Sequence, residues 1–415
     1  MSRQISSVFT PRQSEVNLAM YVSRPDYEKA LLRSINGSMH SLLFGESGNG
    51  KSWLYKKVLD ENATPYIVAN CANASRFGSI TDEIYCRVFP DGKPIQKGYS
   101  EEKEAKANVV FAEGRLSHVS DYELHKEDRL LSAFKDLASK SGGATTVVVL
   151  DNLESMFGNE ALMDELADII ILHDDSRYAQ YRIKLLIVGV PNGVLEYFAK
   201  TKNLESVANR INELEKVSGL TRLQVGELVG KGFNSQLGYN LNDAQINVIS
   251  NHVSNVTMGV AQRVHEYCER LAYQIVDADN MFNSSLLVAT DLDWLKGGLR
   301  QSYVVLEGHL NSRRTTIARR NQVIYAIGKI NSHQFDSNQI EKILRTEFPD
   351  TVPETNMGIG SILGELASSE APLLKRNSKT NEYQVSDPRY VMCIRAIVAK
   401  DKTTQSVYKK QFQRR

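Results

Sequence analysis

The segment LLFGESGNGKSWL constrains this chain more than any other, because it joins a short apolar strand to a glycine loop and then to a helix. Gly45, Gly50, Lys51 and Ser52 complete the spacing GxxxxGK[ST], with the strand-like residues 42–44 before them and the helical run WLYKKVL after. Glycines so placed let backbone N–H groups curl around phosphate oxygens. The lysine then reaches the β and γ phosphates of a nucleotide, and the hydroxyl at the helix N-terminus ligates Mg2+. Gly45, Glu46, Ser47, Gly48, Asn49, Gly50, Lys51, Ser52 and Trp53 are therefore the candidate site for ATP, with Ser52 also a ligand to Mg2+.

Apolar strand-like runs follow at PYIVANC, TTVVVLD, KLLIVGV and LEKVSGL, with helical stretches between them. Strands alternating with helices predict an α/β fold, a mainly parallel sheet covered on both faces. The TTVVVLD run ends in Asp151, which is expected beside the glycine loop as the carboxylate that holds the metal through water. The next residue, Asn152, stands where a nucleotide-hydrolysing strand usually carries glutamate, and a neutral amide accepts no proton at neutral pH. The nearest glutamate is Glu154, two places on, where a turn can swing its carboxylate back toward the γ phosphate. Two readings stay open: slow hydrolysis with Glu154 as base, or ATP binding without turnover.

The order and spacing of these segments resemble the AAA+ ATPases, closest to archaeal and eukaryotic replication initiators and the related transposition-regulator ATPases. The resemblance covers roughly residues 20–280 and is strongest at the glycine loop. It implies a P-loop sheet followed by a helical lid, working as an oligomer. The segment YVSRPDYEKALLRSI resembles the stretch these proteins place before the loop, which implies that Arg24 and Tyr27, with Pro25, line the base pocket. LLIVGVPN resembles the strand that ends in a polar sensor, here Asn192, and in LESVANRINELEKVSGL the likeness makes Arg210 a finger into a neighbouring subunit's site. A local ion pair with Glu213 is the plainer reading of Arg210. Gly259 followed by Arg263 resembles the second sensor, although the initiators keep the arginine three residues after the glycine and here it is four.

A length of 415 residues suits two or three domains. The expected divisions are a nucleotide-binding core at 1–217, a helical lid at 218–280, a connector at 281–310, a winged helix at 311–400 and a basic tail at 401–415. The winged-helix expectation rests on three helical stretches, the second with Asp336 as N-cap, followed by PLLKRNSKTNEYQV as a hairpin. Its wing carries Lys375, Arg376 and Lys379, suited to the phosphates of duplex DNA, whereas its third helix offers Ser361, Glu365, Ser368, Ser369 and Glu370 and nothing that reads a base edge. Charge agrees: the chain is +1 overall, yet residues 311–415 hold 18 Lys and Arg against 10 Asp and Glu, which hints at an anionic partner.

The four scattered cysteines show no metal or disulfide spacing and fit a reducing cytoplasm, and no apolar run is long enough for a membrane span. A charged insertion after the second strand contains His118 and His125 without a third ligand of suitable spacing. The expectation is thus an oligomeric ATP switch that engages DNA or a DNA-acting partner. Its rivals are an antiviral-defence signalling ATPase that controls an effector protein, and an ATP-binding adaptor without turnover.

Overall fold

The computed structural model describes residues 3–91, 128–190, 204–310, 318–332, 334–353 and 357–410. The charged insertion with His118 and His125, and the sensor candidate Asn192, lie outside them. The chain divides into two compact units, one comprising Pro25–Glu46 and Leu54–Val217, the other Met1–Arg24, Ser47–Trp53 and Ser218–Arg415.

The first unit is built on a five-stranded sheet. Strands β1 (His40–Phe44), β2 (Tyr66–Asn70), β3 (Thr146–Asp151), β4 (Ile183–Gly189) and β5 (Ile211–Glu213) lie in the order β2-β3-β4-β1-β5, and every pairing is parallel. Strands β3 and β4 are buried almost throughout, as central strands of a sheet covered on both faces must be, which is why their sequences are continuous apolar runs. Helices α1 (Pro25–Asn36), α2 (Lys51–Glu61), α3 (Cys71–Phe77), α4 (Ile80–Val88), α5 (Arg129–Lys140) and α6 (Glu160–Leu172) supply the cover. Two apolar clusters result. One holds Leu31, Leu43, Tyr55, Val58, Val147 and Leu186. The other holds Leu42, Phe134, Val148, Leu166 and Ile187, so neighbouring residues of one strand point into opposite layers. The expected strand LEKVSGL is displaced: the edge strand is Ile211–Glu213, and only Val217 makes a further bridge, to Gly45.

In the second unit, helices α7 (Arg222–Val229), α8 (Asp243–Thr257) and α9 (Ala261–Asp277) occupy the expected lid. Capping boxes start two of them, Thr221 with Gln224 and Asn242 with Gln245. Between α7 and α8 the helix widens into a π turn, Gly230–Gln236, around Phe9: a Cβ on Gly232 would lie 2.4 Å from that ring, so only glycine fits. The expected connector holds two helices, α10 (Ser285–Gly297) and α11 (Arg300–His309), whose Trp294 is wholly buried edge-on against Tyr267 of α9.

Beyond them come α12 (Arg319–Lys329), the short strand β6 (Gln334–Phe335), α13 (Ser337–Glu347), α14 (Ile359–Ser368) and an antiparallel hairpin of β7 (Leu374–Arg376) and β8 (Tyr383–Val385), with β6 pairing β8. Asp336 caps α13 in a box with Gln339, as its sequence predicts. Helix α15 (Pro388–Ile397) then leads into β9 (Val398–Lys400), and part of the expected tail, β10 (Val407–Lys409), pairs with it. One continuous apolar core runs from Phe9 through α9 and Trp294 to Ile394 and Val407.

Candidate functional site

In a parallel sheet all strands end on one edge, and here that edge gathers Gly45, Asn70, Asp151 and Gly189. Strand β1 runs into Gly45, whose amide donates to the carbonyl of Gly189 at 3.2 Å. A Cβ on Gly45 would lie 2.5 Å from the carbonyl oxygen of Val217, which explains the glycine independently of any ligand. Glu46, beside it, pairs with Lys216 at 3.0 Å.

Asp151 ends β3 with both carboxylate oxygens engaged. Oδ2 accepts from the Tyr55 hydroxyl at 3.0 Å and Oδ1 from the backbone amide of Asn152 at 2.9 Å. Asn152 itself takes a left-handed backbone, φ 62° and ψ 44°, a conformation that asparagine tolerates better than most residues. This kink turns its side chain toward β2, where Nδ2 donates to Asn70 Oδ1 at 3.4 Å. A single 3-10 turn, Leu153–Met156, then buries Leu153 and Met156 and brings the exposed Glu154 over β4. Its Oε2 lies 3.8 Å from where a Cβ on Gly189 would stand. Because β4 separates β3 from β1, Glu154 lies on the side of the strand that feeds the glycine loop, and Asn152 on the opposite side. Cys71 reports the local field: burial first, then the charges of Asp151, Glu154 and Glu83, push its thiol well above the usual range, so it is no nucleophile at neutral pH.

The second unit contains the loop itself. Gly48 and Gly50 have φ of 84° and 81°, a region that disfavours any side chain. The carbonyl of Gly48 accepts from the amide of Gln262 at 3.0 Å. Lys51 and Ser52 open α2, where the first amides have no partner within the helix, and Asn49 is buried beside them. Arg24 is buried against this loop: Nη1 donates to the carbonyl of Ser218 at 3.2 Å, and Nη2 is 3.7 Å from the Cβ position of Gly50. Trp53 donates from Nε1 to the carbonyl of Gln13 at 3.0 Å and meets His265 edge-on at 5.6 Å. Arg263 is engaged in its own helix, Nη1 to Glu266 Oε2 at 2.6 Å. Gly259 is fixed by packing, since a Cβ there would lie 2.2 Å from the Leu220 carbonyl oxygen. Tyr27, in the first unit, donates its hydroxyl to the carbonyl of Lys216 at 3.1 Å.

Arg210 stands at the amino edge of the sheet, where its carbonyl accepts from the amide of His40 at 2.8 Å. The five residues of β1, roughly 15 Å of strand, separate that edge from Gly45. The guanidinium pairs with Asp174, at 2.7 Å from Nε and 2.6 Å from Nη2, rather than with Glu213. Lys375 and Arg376 lie exposed on β7 and Lys379 on the tip that follows; Arg376 donates to Asn381 Oδ1 at 2.9 Å and covers the Tyr383 ring. Tyr55, Asn70 and Asp174 escaped sequence reasoning, because their partners lie 96, 82 and 36 positions away.

Residues 35–198 match the family model for an AAA domain. No curated protein matches the sequence. Among solved structures, the chain is similar to a Walker-type ATPase of Pyrococcus abyssi, at 15% identity and a TM-score of 0.51 over 94% of this chain and 99% of that one. It is also similar to the ORC2 protein of Aeropyrum pernix in its ADP form, at 15% identity and a TM-score of 0.49 over 94% and 96%. A third is Cdc6p of Pyrobaculum aerophilum, at 14% identity and a TM-score of 0.44 over 94% and 96%. The sheet order, the glycine loop and the matched segment agree: this chain carries an AAA domain at residues 35–198 and has a P-loop AAA+ fold.

Proposed function

We propose that the chain is an ATP-binding AAA+ switch that hydrolyses ATP slowly, with Glu154 as general base. The observation that carries this reading is the divergence after Asp151, with Asn152 turned to Asn70 while Glu154 stands over Gly189. The loop amides and Lys51 hold the phosphates, Arg24 and Tyr27 border the base, and Asn192 senses the γ phosphate. Residues Ser52 and Asp151 fit Mg2+, a hard cation that would take the Ser52 hydroxyl directly and the Asp151 carboxylate through water, keeping its other waters and phosphate oxygens. When bound, Mg2+ neutralises charge on the β and γ phosphate oxygens. Glu154 accepts a proton from the water whose oxygen bonds to the γ phosphorus as the bond to the β–γ bridging oxygen breaks, giving ADP and phosphate. Glu154 stands on a single exposed turn, two places beyond the usual position of the base, which supports slow turnover.

Arg210, at the edge remote from its own loop, serves a neighbour's site in a homo-oligomer. The element order from α12 to β8 supports a winged helix whose Lys375, Arg376 and Lys379 meet duplex DNA phosphates without reading sequence. The third helix, Ile359–Ser368, carries no Arg, Lys, Asn or Gln, and its Glu365 pairs with Arg320 at 2.9 Å, which leaves room for a second reading in which this domain docks an effector protein instead. Titration of ATP into wild-type protein and Lys51→Ala tests the site. Wild type should bind and the variant should lose at least about a hundredfold in affinity, because the charge at the β and γ phosphates is gone. Near-native affinity in the variant overturns the assignment.

A further inference from the structure

We propose that Tyr55 is a positioning residue for the metal-binding carboxylate, a role that rests on the reading of Asp151 given above. Tyr55 follows Lys51 by one turn of α2, on a face whose other residues, Leu54, Val58 and Leu59, are apolar and buried. Its ring is wholly buried among Leu43, Val147, Val149 and Val188, a setting in which phenylalanine would pack as well. The hydroxyl is the polar atom on that face, and it donates to Asp151 Oδ2 at 3.0 Å. With Oδ1 held by the amide of Asn152 at 2.9 Å, the carboxylate is clamped from two directions, one donor on its own turn and one on the helix that begins with Lys51 and Ser52.

The clamp has a physical purpose in this chain. Asp151 is the last paired residue of β3, opposite Asn70, so the strand sets where its side chain starts, while the two donors set how the carboxylate is turned. Mg2+ keeps a near-octahedral shell of waters, so a carboxylate free to rotate would orient the metal's water less well even when its charge is unchanged. The alternative is that Asp151 only satisfies a buried hydroxyl, which would otherwise be costly to leave unpaired.

The two are separated by how nucleotide binding depends on metal. ATP affinity is titrated against free Mg2+ for wild type, Tyr55→Phe, Asp151→Asn and the double variant, together with ADP affinity in excess chelator and the melting temperature without nucleotide. Positioning predicts that Tyr55→Phe keeps metal-free ADP affinity within about twofold and raises the half-saturating Mg2+ concentration about fivefold to tenfold, the loss of one hydrogen bond to a charged group. In the Asp151→Asn background the same change should add less than about twofold. An unchanged Mg2+ dependence, with only the melting temperature lowered, overturns the proposal, as does full additivity in the double variant. Wild type that binds no nucleotide overturns the site reading itself, and so fails differently from a Tyr55 variant that behaves like wild type.

Discussion

A left-handed residue after Asp151 separates two side chains that a regular strand would place differently. In an extended strand, residue 152 would occupy the position from which a glutamate usually orients water. With φ at 62° it faces Asn70 instead, and Glu154 arrives over Gly189 by way of the 3-10 turn. Asparagine suits that backbone, and a glutamate at 152 would meet the same kink at a cost of about 1 kcal/mol and still point toward β2. Glu154→Gln should therefore keep ATP and lower the rate of phosphate release about a hundredfold, within the usual worth of a general base. Asn152→Ala should change the rate less than about threefold. Phosphate release and ATP affinity measured on both variants decide it, and the reverse ranking would make position 152 the functional one.

At the scale of elements, the N-terminal segment packs with the helices that follow residue 218. Phe9 fills the gap left by Gly232, and the amide of Thr10 donates to His265 Nδ1 at 3.2 Å. Accepting that bond requires a neutral ring nitrogen, and burial pushes the imidazole down to about 4. The unfolded chain therefore takes up a proton near pH 6.5 that the folded lid refuses. The stability is complete above pH 6.5 and is lost as pH falls toward 4, about 2 kcal/mol by pH 5. Urea unfolding at pH 7 and pH 5 should show this decline in wild type and a shallower one in His265→Gln. The β7–β8 hairpin, proposed as a wing, gives an element-scale test of partner class. Replacing Lys375, Arg376 and Lys379 by Ala should weaken duplex binding about equally for unrelated sequences and flatten its dependence on salt. Wild type without measurable affinity at low salt would transfer the domain to protein docking.

For the whole molecule the deciding question is whether a nucleotide site is finished by one chain or two. Arg210 lies at the opposite edge of its sheet from Gly45 and is held by Asp174, which is largely exposed; a surface pair of this kind contributes at most about 1 kcal/mol and exchanges readily for a phosphate. In the shared-site reading, Arg210→Ala loses turnover while retaining ATP. Mixed with Lys51→Ala, itself inactive, it should recover part of the wild-type rate, because some assembled sites then combine an intact loop with an intact arginine. Recovery should rise with protein concentration, as assembly requires. A mixture that stays inactive where wild type is oligomeric and active would return Arg210 to a structural role in the pair with Asp174.

Local features were legible in the sequence. The spacing of Gly45, Gly50, Lys51 and Ser52 fixes a loop between strand and helix; the continuous apolar runs of β3 and β4 require a sheet covered on both faces; and Asp336 with Gln339 announces a helix start. Each of these signals depends on residues a few positions apart, so periodicity and capping chemistry expose them. The edge strand was misplaced by a few residues because Ile211–Glu213, one buried residue followed by two exposed ones, is too short to carry a pattern that distinguishes it from the LEKVSGL run beside it. Only the tertiary structure decided where Asn152 and Glu154 point, which carboxylate receives Tyr55, and that Asp174 rather than Glu213 holds Arg210. The first of these follows from one backbone dihedral and from strand order, the other two from packing between segments far apart in the chain. β4 lies between β3 and β1, and a kink at a single residue selects which neighbouring strand each side chain faces.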